Sequence, residues 1–192
     1  MVKKNKVIAI VQARLGSKRF PKKILKKIND FSIIDLINKR LQKCKYLNDI
    51  VYAIPSNKEN IELYDNLKNR SCKIFRGSEN NVLDRYYKAA KKFNADIVVR
   101  ITSDCPLIDP KMIDSLVKIF NKKKIDYLTN TKDPNSNEDF FSYPDGFDIE
   151  IFSFSSLKKI KSYSLTEFHK QHVTSFFRYS EKFKKLYIKQ KK

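Results

Sequence analysis

Long apolar runs and paired cysteines are both missing from this 192-residue sequence. A helix that spans a bilayer needs roughly 18–20 consecutive apolar residues, and the apolar stretch near the N-terminus is interrupted by Gln12 and Arg14. No small-residue cleavage site follows it, which argues against a signal peptide. Cys44, Cys72 and Cys105 lie far apart without metal-type spacing, so we expect reduced thiols and a cytoplasmic protein.

Acidic residues are scarce: 21 Asp and Glu stand against 41 Lys and Arg, which gives a formal net charge of +20. A charge of this size attracts polyanions such as nucleotides, nucleic acid or acidic membrane surfaces. Lysines recur along nearly every predicted helix, however, and a general lysine bias would produce the same pattern. The charge alone therefore does not select a partner.

Glycine is rare as well, with three residues, and neither GxxxxGK followed by Ser or Thr nor GxGxxG occurs. A hydrophobic content of 41% with 12% aromatic residues is typical of a folded globular protein. There is no internal repeat, low-complexity tract or clear linker. We therefore predict one α/β domain over residues 1–192.

Short β-branched runs alternate with amphipathic helical segments, which implies right-handed crossovers and a mostly parallel sheet. Ser32 and Asp109 are the predicted N-caps of two of these helices, and Pro110 follows Asp109 at the first helical position. Beyond about residue 126 the pattern is less regular. The predicted strands cover residues 7–13, 49–56, 72–77, 96–104 and 147–154, and the late helices cover 155–161 and 165–179.

Polar residues cluster where the predicted strands end, which is where open α/β sheets bind ligands. The loop at 14–23 follows the first strand. Gly16 gives its backbone freedom to turn amides toward a phosphate, and Arg14, Arg19 and Lys23 supply positive charge. The alternative interpretation is a basic surface loop.

Carboxylates mark two other strand segments. Asp104 ends the strand at 96–104, a position suited to holding Mg²⁺ against nucleotide phosphates, although it could simply cap a turn. Asp148 and Glu150 alternate with apolar residues and could lie near a metal on a shared strand face, or face solvent on an edge strand. His169 and His172 are spaced to share a helix face, with His172 the better candidate for a pocket wall.

Taken together, these segments resemble the SpsF-like cytidylyltransferases of spore-coat polysaccharide biosynthesis, relatives of the CMP-sugar-acid synthetases. The resemblance extends over about residues 7–178. It implies a three-layer α/β/α Rossmann-like sandwich, the nucleotide-diphospho-sugar transferase fold. It also implies transfer of CMP from CTP to an acceptor with release of pyrophosphate. The motifs are AIVQARLGSKRFPKKIL, IFRGSENNVLDRYYKAA, ADIVVRITSDCPLIDP, YLTNT, YPDGFDIEIFSF and HVT.

The resemblance also implies roles for individual residues. The catalytic set is Arg14, Lys23 and Asp104, and Asp104 with Asp148 would bind Mg²⁺. Residues implied to contact the acceptor are Arg85, Tyr143, Asp145 and His172. Residues implied to contact the nucleotide are Ala13, Arg14, Gly16, Ser17, Arg19, Lys23, Ser78, Thr102 and Asp104.

The expected partners are CTP and a small anionic acceptor, such as a sugar acid or a phosphorylated or phosphonate compound, and a homodimer is compatible with the family. Two departures stand out. Lys22 occupies a position where family members usually have glycine. Members also usually continue with another strand and helix, so the chain is expected to be either shortened or one part of a larger polypeptide. Two alternatives stay open: the same fold using another nucleotide such as UTP or GTP, and a basic nucleic-acid-binding protein. The second lacks a recognised reader motif, and its aromatic residues fall on predicted core stripes.

Overall fold

The computed structural model describes residues 5–17, 20–136, 143–144 and 146–189. Within them the chain forms nine strands and seven α-helices. The strands are β1 Val7–Gln12, β2 Lys27–Ile28, β3 Phe31–Ser32, β4 Asp49–Pro55, β5 Lys73–Gly77, β6 Ile97–Thr102, β7 Tyr127–Thr129, β8 Glu150–Ser153 and β9 Lys185–Tyr187. The helices are α1 Ile33–Leu41, α2 Ile61–Asn69, α3 Val82–Lys92, α4 Pro110–Lys122, α5 Phe154–Ile160, α6 Glu167–Gln171 and α7 Ser175–Tyr179.

Seven strands form one sheet in the order β5-β4-β1-β6-β8-β7-β9. Strand β8 pairs antiparallel with both of its neighbours, and the remaining pairs are parallel. Side chains of β1 alternate between the two faces: Val7, Ala9 and Val11 pack with α1, α2 and α4, whereas Ile8 and Ile10 pack with α3, α5 and α7. The predicted three-layer α/β/α sandwich is confirmed. None of the described helices is long and apolar enough to cross a bilayer.

The order of the strands reverses at β1. From β1 the chain moves outward to β4 and β5, then returns to place β6 on the other side of β1. A reversal of this kind opens a crevice at the carboxyl ends of the two strands, where doubly wound folds bind ligands. Gln12 pairs with Thr102 at the end of the ladder, and the Ser103 N–H donates to the Gln12 carbonyl at 3.0 Å. The two following loops therefore leave the sheet side by side.

The helix starts predicted from Ser32 and Asp109 are confirmed. The Ser32 hydroxyl accepts the N–H of Asp35, and the Asp109 carboxylate accepts the N–H of Lys111 at 2.9 Å. The strand predicted at 147–154 is too long at both ends. It begins at Glu150, and Ser153 caps α5 by accepting the Ser156 N–H at 3.0 Å.

The prediction of a single helix over 165–179 is wrong, because the helix is interrupted at His172. That residue has φ −105° and ψ 87°, which is outside the helical region, and it separates α6 from α7. His169 lies within α6, so the two histidines do not share a continuous helix.

A carboxylate clamp joins α1 to the end of α2. Asp35 accepts the Ser32 N–H at 3.0 Å and the Arg70 Nε–H at 2.6 Å. The hydrogen bond from Arg70 is the largest cause that lowers the pKa of Asp35 to about 2. The clamp thus ties a helix N-terminus to a neighbouring helix C-terminus.

We expect Asp35→Asn to lower the free energy of unfolding at pH 7 by about 1 kcal/mol, allowing for solvent screening. The pKa of Asp35 is lower in the folded state than its ordinary 3.8. The ionised carboxylate therefore stabilises the fold at pH values above 3.8, and this stabilisation is lost as the pH falls toward about 2. Urea unfolding at pH 7 and pH 3 tests this, with exposed Asp65→Asn as the control. A mutant-to-wild-type difference that does not shrink at pH 3 contradicts it.

Candidate active site

A cleft of about 870 Å³ opens at the carboxyl ends of β1 and β6. Its walls come from the loop after β1, the loop after β6, and the segments that precede α2 and α3. The residues predicted to contact a nucleotide that line it are Arg14, Gly16, Ser17, Lys23, Thr102 and Asp104. Most of the residues expected to act together are therefore brought together by the strand reversal.

The loop after β1 folds back on a single carbonyl. The Leu15 oxygen accepts the N–H of Ser17 at 2.8 Å and that of Lys22 at 3.4 Å. The Leu15 N–H donates to Oδ1 of Asn60 at 2.9 Å. This arrangement closes the loop over the cleft and leaves the Arg14 side chain exposed. Arg19 lies outside the described residues.

A chain of side-chain hydrogen bonds supports this loop from below, and sequence reasoning missed it. Asn60 is fully buried, and its Nδ2 donates to Oδ1 of Asn57 at 2.5 Å. Asn57 donates in turn to the carboxylate of Glu79. The three residues join the loops that follow β1, β4 and β5. Asparagines just before a helix are typical N-caps, and nothing local in the sequence distinguishes this role from capping.

Two acidic residues, Glu59 and Glu79, also line the cleft. A Cβ added to Gly16 would lie 3.9 Å from a carboxylate oxygen of each. These are ordinary van der Waals distances, so the two glutamates border the Gly16 side of the cleft without requiring a glycine there.

Lys23 and Asp104 form an ion pair at 3.1 Å across the crevice between β1 and β6. Burial raises the pKa of Asp104, but hydrogen bonds from Thr102 and Lys23, together with the Lys23 charge, lower it below its ordinary value overall. The side chain of Asp104 stays 57% exposed. The cleft thus presents an ionised, accessible carboxylate beside a lysine.

Arg100 on β6 is held from the neighbouring strands. Its Nη1 is paired with the Glu150 carboxylate on β8, and its Nη2 lies 3.5 Å from Oε1 of Gln12. The Tyr127 hydroxyl donates to Oε1 of Glu150 at 2.5 Å. Burial raises the pKa of Glu150, yet the charge of Arg100 and these bonds lower it overall. Glu150 is therefore engaged in an internal ion pair, which corrects the expectation that it faces a metal or solvent.

A second cavity of about 250 Å³ adjoins the cleft. Arg100 and Thr102 line both spaces and form the wall between them. Asp148, predicted as a metal ligand, and His172, predicted to contact the acceptor, both line the second cavity. Among the residues that the structure describes, no group of three or more His, Cys, Asp or Glu side chains could enclose a metal ion.

The predicted acceptor role of Arg85 does not agree with its position. Arg85 is 1% exposed, and its Nη1 donates to the Ser78 carbonyl. A Cβ at Gly77 would lie 2.9 Å from the Phe75 ring and 3.1 Å from Cγ of Arg85, so the glycine makes room for the arginine. Arg85 braces the loop after β5 from inside.

Four further predicted site residues lie outside the two cavities or outside the described residues. Ser78 is exposed, and its hydroxyl accepts the Asn81 N–H at 3.0 Å without lining the cleft. Ala13 is buried and donates its N–H to the Ala53 carbonyl at 3.4 Å. Tyr143 is half-buried and lines neither cavity, and Asp145 lies outside the described residues.

Lys22 has a left-handed backbone, with φ 53° and ψ 25°. Glycine adopts this conformation without steric cost, which explains why a glycine suits the position in the family that the sequence resembles. The Lys22 Nζ lies 2.6 Å from the Glu62 carboxylate. The lysine therefore makes an exposed ion pair from a strained backbone.

Comparisons with known proteins show which proteins this chain is similar to. The cytidylyltransferase family model matches residues 8–192. A protein of Methanocaldococcus jannaschii is 36% identical over 171 residues, which are 89% of this chain and 66% of that protein. The spore coat polysaccharide biosynthesis protein SpsF of Bacillus subtilis is 26% identical over 179 residues, 91% of this chain and 70% of SpsF. The chain thus spans about two thirds of the length of these relatives.

A solved structure is also similar. The cytidylyltransferase of Leptospira borgpetersenii is 33% identical with a TM-score of 0.87, covering 98% of this chain and 78% of that one. The similarity therefore extends over nearly the whole chain.

We expect Lys22→Gly to keep or raise the free energy of unfolding, by up to about 1 kcal/mol, and Lys22→Val to lower it by about 1–2 kcal/mol. The reason is the left-handed backbone, which a β-branched residue disfavours. Lys26 is the matched control because its backbone is extended, with φ −67° and ψ 141°. There valine should be tolerated better than glycine. The same rank order at both positions in chemical denaturation contradicts the interpretation.

Proposed function

Because this chain belongs to the cytidylyltransferase family, we propose that it transfers CMP from CTP to a small anionic acceptor and releases pyrophosphate. The observation that carries the proposal is the pairing of Lys23 with an ionised Asp104 at 3.1 Å in a cleft at the switch point of the sheet. Arg14 lines the same cleft. These charges and the loop after β1 suit a nucleoside triphosphate.

In this function, Arg14 and Lys23 neutralise negative charge on the triphosphate. In the transfer, an acceptor oxygen forms a bond to the α-phosphorus while the bond to the bridging oxygen of pyrophosphate breaks. The acceptor hydroxyl proton leaves to solvent. Negative charge grows on the leaving pyrophosphate, and cations already positioned around it stabilise the transition state more than the ground state.

The residues of the cleft fit Mg²⁺, which proteins commonly hold with one or two carboxylates together with substrate phosphates and water. Asp104 provides an accessible carboxylate with a lowered pKa, and Asp148 lines the adjoining cavity. Both lie near the buried thiol of Cys105, whose pKa is raised first by burial and further by their charges. When bound, the metal would supply charge neutralisation and orientation to the phosphates.

The acceptor is best accommodated in the second cavity, since Arg100 and Thr102 separate it from the nucleotide cleft by a single wall. His172 lines this cavity as the resemblance implies. A sugar acid or a phosphorylated or phosphonate compound is the acceptor class we propose. The similarity to SpsF supports a role in surface glycan or related biosynthesis, and the three free thiols support a cytoplasmic location. The homodimer stays a prediction.

We expect Asp104→Asn to reduce CTP-dependent pyrophosphate release by about 10²–10³-fold with Mg²⁺ present, because the charged ligand that would hold the metal against the phosphates is lost. The fold should be retained, since the side chain is largely exposed. Asp30→Asn, in the exposed turn between β2 and β3, is the control and should leave turnover unchanged. Unchanged turnover in Asp104→Asn contradicts the assigned role.

The nucleotide itself is tested independently of any acceptor. A bound ligand raises the melting temperature by mass action, so thermal unfolding with CTP, UTP, GTP and ATP, each with Mg²⁺, ranks their affinities. We expect CTP to give the largest rise. A larger rise with UTP or GTP selects the same fold with another nucleotide, and no rise with any of the four overturns the proposal.

A further inference from the structure

The second cavity contains two arginines whose situations differ. Arg100 comes from β6 and Arg178 from α7, and the carboxylates that line the same space belong to Asp148 and Glu150. What the cavity can bind depends on which of these charged groups are already paired within the protein.

Arg100 is already neutralised. Its guanidinium pairs with Glu150, which also accepts the Tyr127 hydroxyl, and the charge of Arg100 helps to keep the pKa of Glu150 lowered. The pair forms a fixed wall with little net charge. Asp148 is exposed, and in the function proposed above it serves the metal. The remaining charge of the cavity is Arg178.

Arg178 is hydrogen-bonded to a neutral group, and its charge acts at longer range on Glu150, whose pKa it helps to lower. Its Nη2 donates to the Lys132 carbonyl at 2.9 Å, and no ion pair joins it to a carboxylate among residues 5–17, 20–136, 143–144 and 146–189. Its Nε is buried and has no acceptor, and the same holds for Nε of Arg100. A buried donor without an acceptor costs roughly 1–3 kcal/mol, and such groups are rare in folded proteins. Both Nε atoms are shielded from solvent, so an acceptor that enters the cavity would meet the terminal guanidinium nitrogens of Arg178.

The rest of the cavity suits a small hydroxylated molecule. Thr174 and Ser175 contribute buried hydroxyl groups that already bond to Glu150 and to the His172 carbonyl, so each offers acceptor lone pairs to a ligand. The exposed rings of Phe168 and Tyr179 form an apolar edge. The Ser175 hydroxyl donates to the His172 carbonyl at 2.7 Å, which fixes the backbone break between α6 and α7. That break places Arg178 and His172 on the same cavity.

We propose that Arg178 determines acceptor specificity by binding a carboxylate or phosphate group of the acceptor, with the Arg100–Glu150 pair as the rigid wall behind it. The acceptor is then a small polyhydroxylated carboxylate or phosphate monoester. Guanidinium groups bind both kinds of anion through paired N–H donors. The inference rests on the proposed function, because it requires the nucleotide to occupy the neighbouring cleft.

The test uses the full chain saturated with CTP and Mg²⁺, so that the nucleotide cleft is filled. Inorganic phosphate and acetate are titrated separately in thermal unfolding, with chloride at the same ionic strength as the reference. We expect at least one anion to raise the melting temperature of the wild type above the chloride value. Its apparent affinity should fall at least tenfold in Arg178→Gln, and less in Arg178→Lys, while CTP affinity stays within twofold. The anion that raises the melting temperature shows whether the acceptor is bound through a phosphate or a carboxylate group.

Lys184→Gln is the matched control, since it removes one positive charge from an exposed side chain of the same region. It should behave as the wild type. Equal anion affinity in the wild type and Arg178→Gln overturns the inference, and so does the lack of any effect beyond chloride in the wild type. Failure of the wild type to bind CTP would instead overturn the proposed function. With an acceptor found by pyrophosphate release, Arg178→Gln should raise the acceptor KM at least tenfold with little change in the CTP KM.

Discussion

The parallel ladder between β1 and β6, which pairs Val7 with Ile97 and ends with Gln12 beside Thr102, determines where every charged group of the site can lie. The two strands end side by side, so the loops that follow them begin at the same edge of the sheet. Lys23 therefore reaches Asp104 although 81 residues separate them in sequence. The same ladder carries Arg100 at its upper end, between the two cavities. A one-residue slip would turn Arg100 toward the opposite helical layer and separate the loops.

Arginine has a distinct use in this lysine-rich chain, which contains only eight arginines. Arg70 clamps two helices through Asp35, Arg85 fills the space left by Gly77, and Arg100 joins two strands through Glu150. Each position needs a planar group with several directed donors, which an ammonium group does not provide. The lysines are mostly exposed and supply charge. These three arginines instead hold together the elements that surround the site.

The elements that could be predicted from sequence are those whose signals are local. The strands β1, β4, β5 and β6 follow from apolar runs, and the caps Ser32 and Asp109 follow from the preference of oxygen side chains for exposed N–H groups. The cationic loop and Asp104 could be placed at one edge because parallel strands end together.

Roles that depend on packing between distant segments could not be predicted. Arg85 lies in a helix with other charges, and only the missing Cβ of Gly77 in the folded state shows why it is buried. Asn60 has the appearance of a helix cap, yet it holds a loop 45 residues earlier in the chain. Glu150 alternates with apolar residues as a solvated strand residue would, but its partner Arg100 comes from another strand. The break at His172 depends on backbone angles that the apolar pattern of 165–179 does not reveal.

The hydrogen bonds from Leu15 to Asn60, from Asn60 to Asn57 and from Asn57 to Glu79 join loops that are otherwise separate in sequence. Because each asparagine both donates and accepts, this series of hydrogen bonds has a direction. Reversing the side-chain amide of one asparagine would place a donor against a donor. The three loops therefore depend on one another for their conformation. A graft that imports the loop after β1 from a relative would have to bring residues 57, 60 and 79 with it.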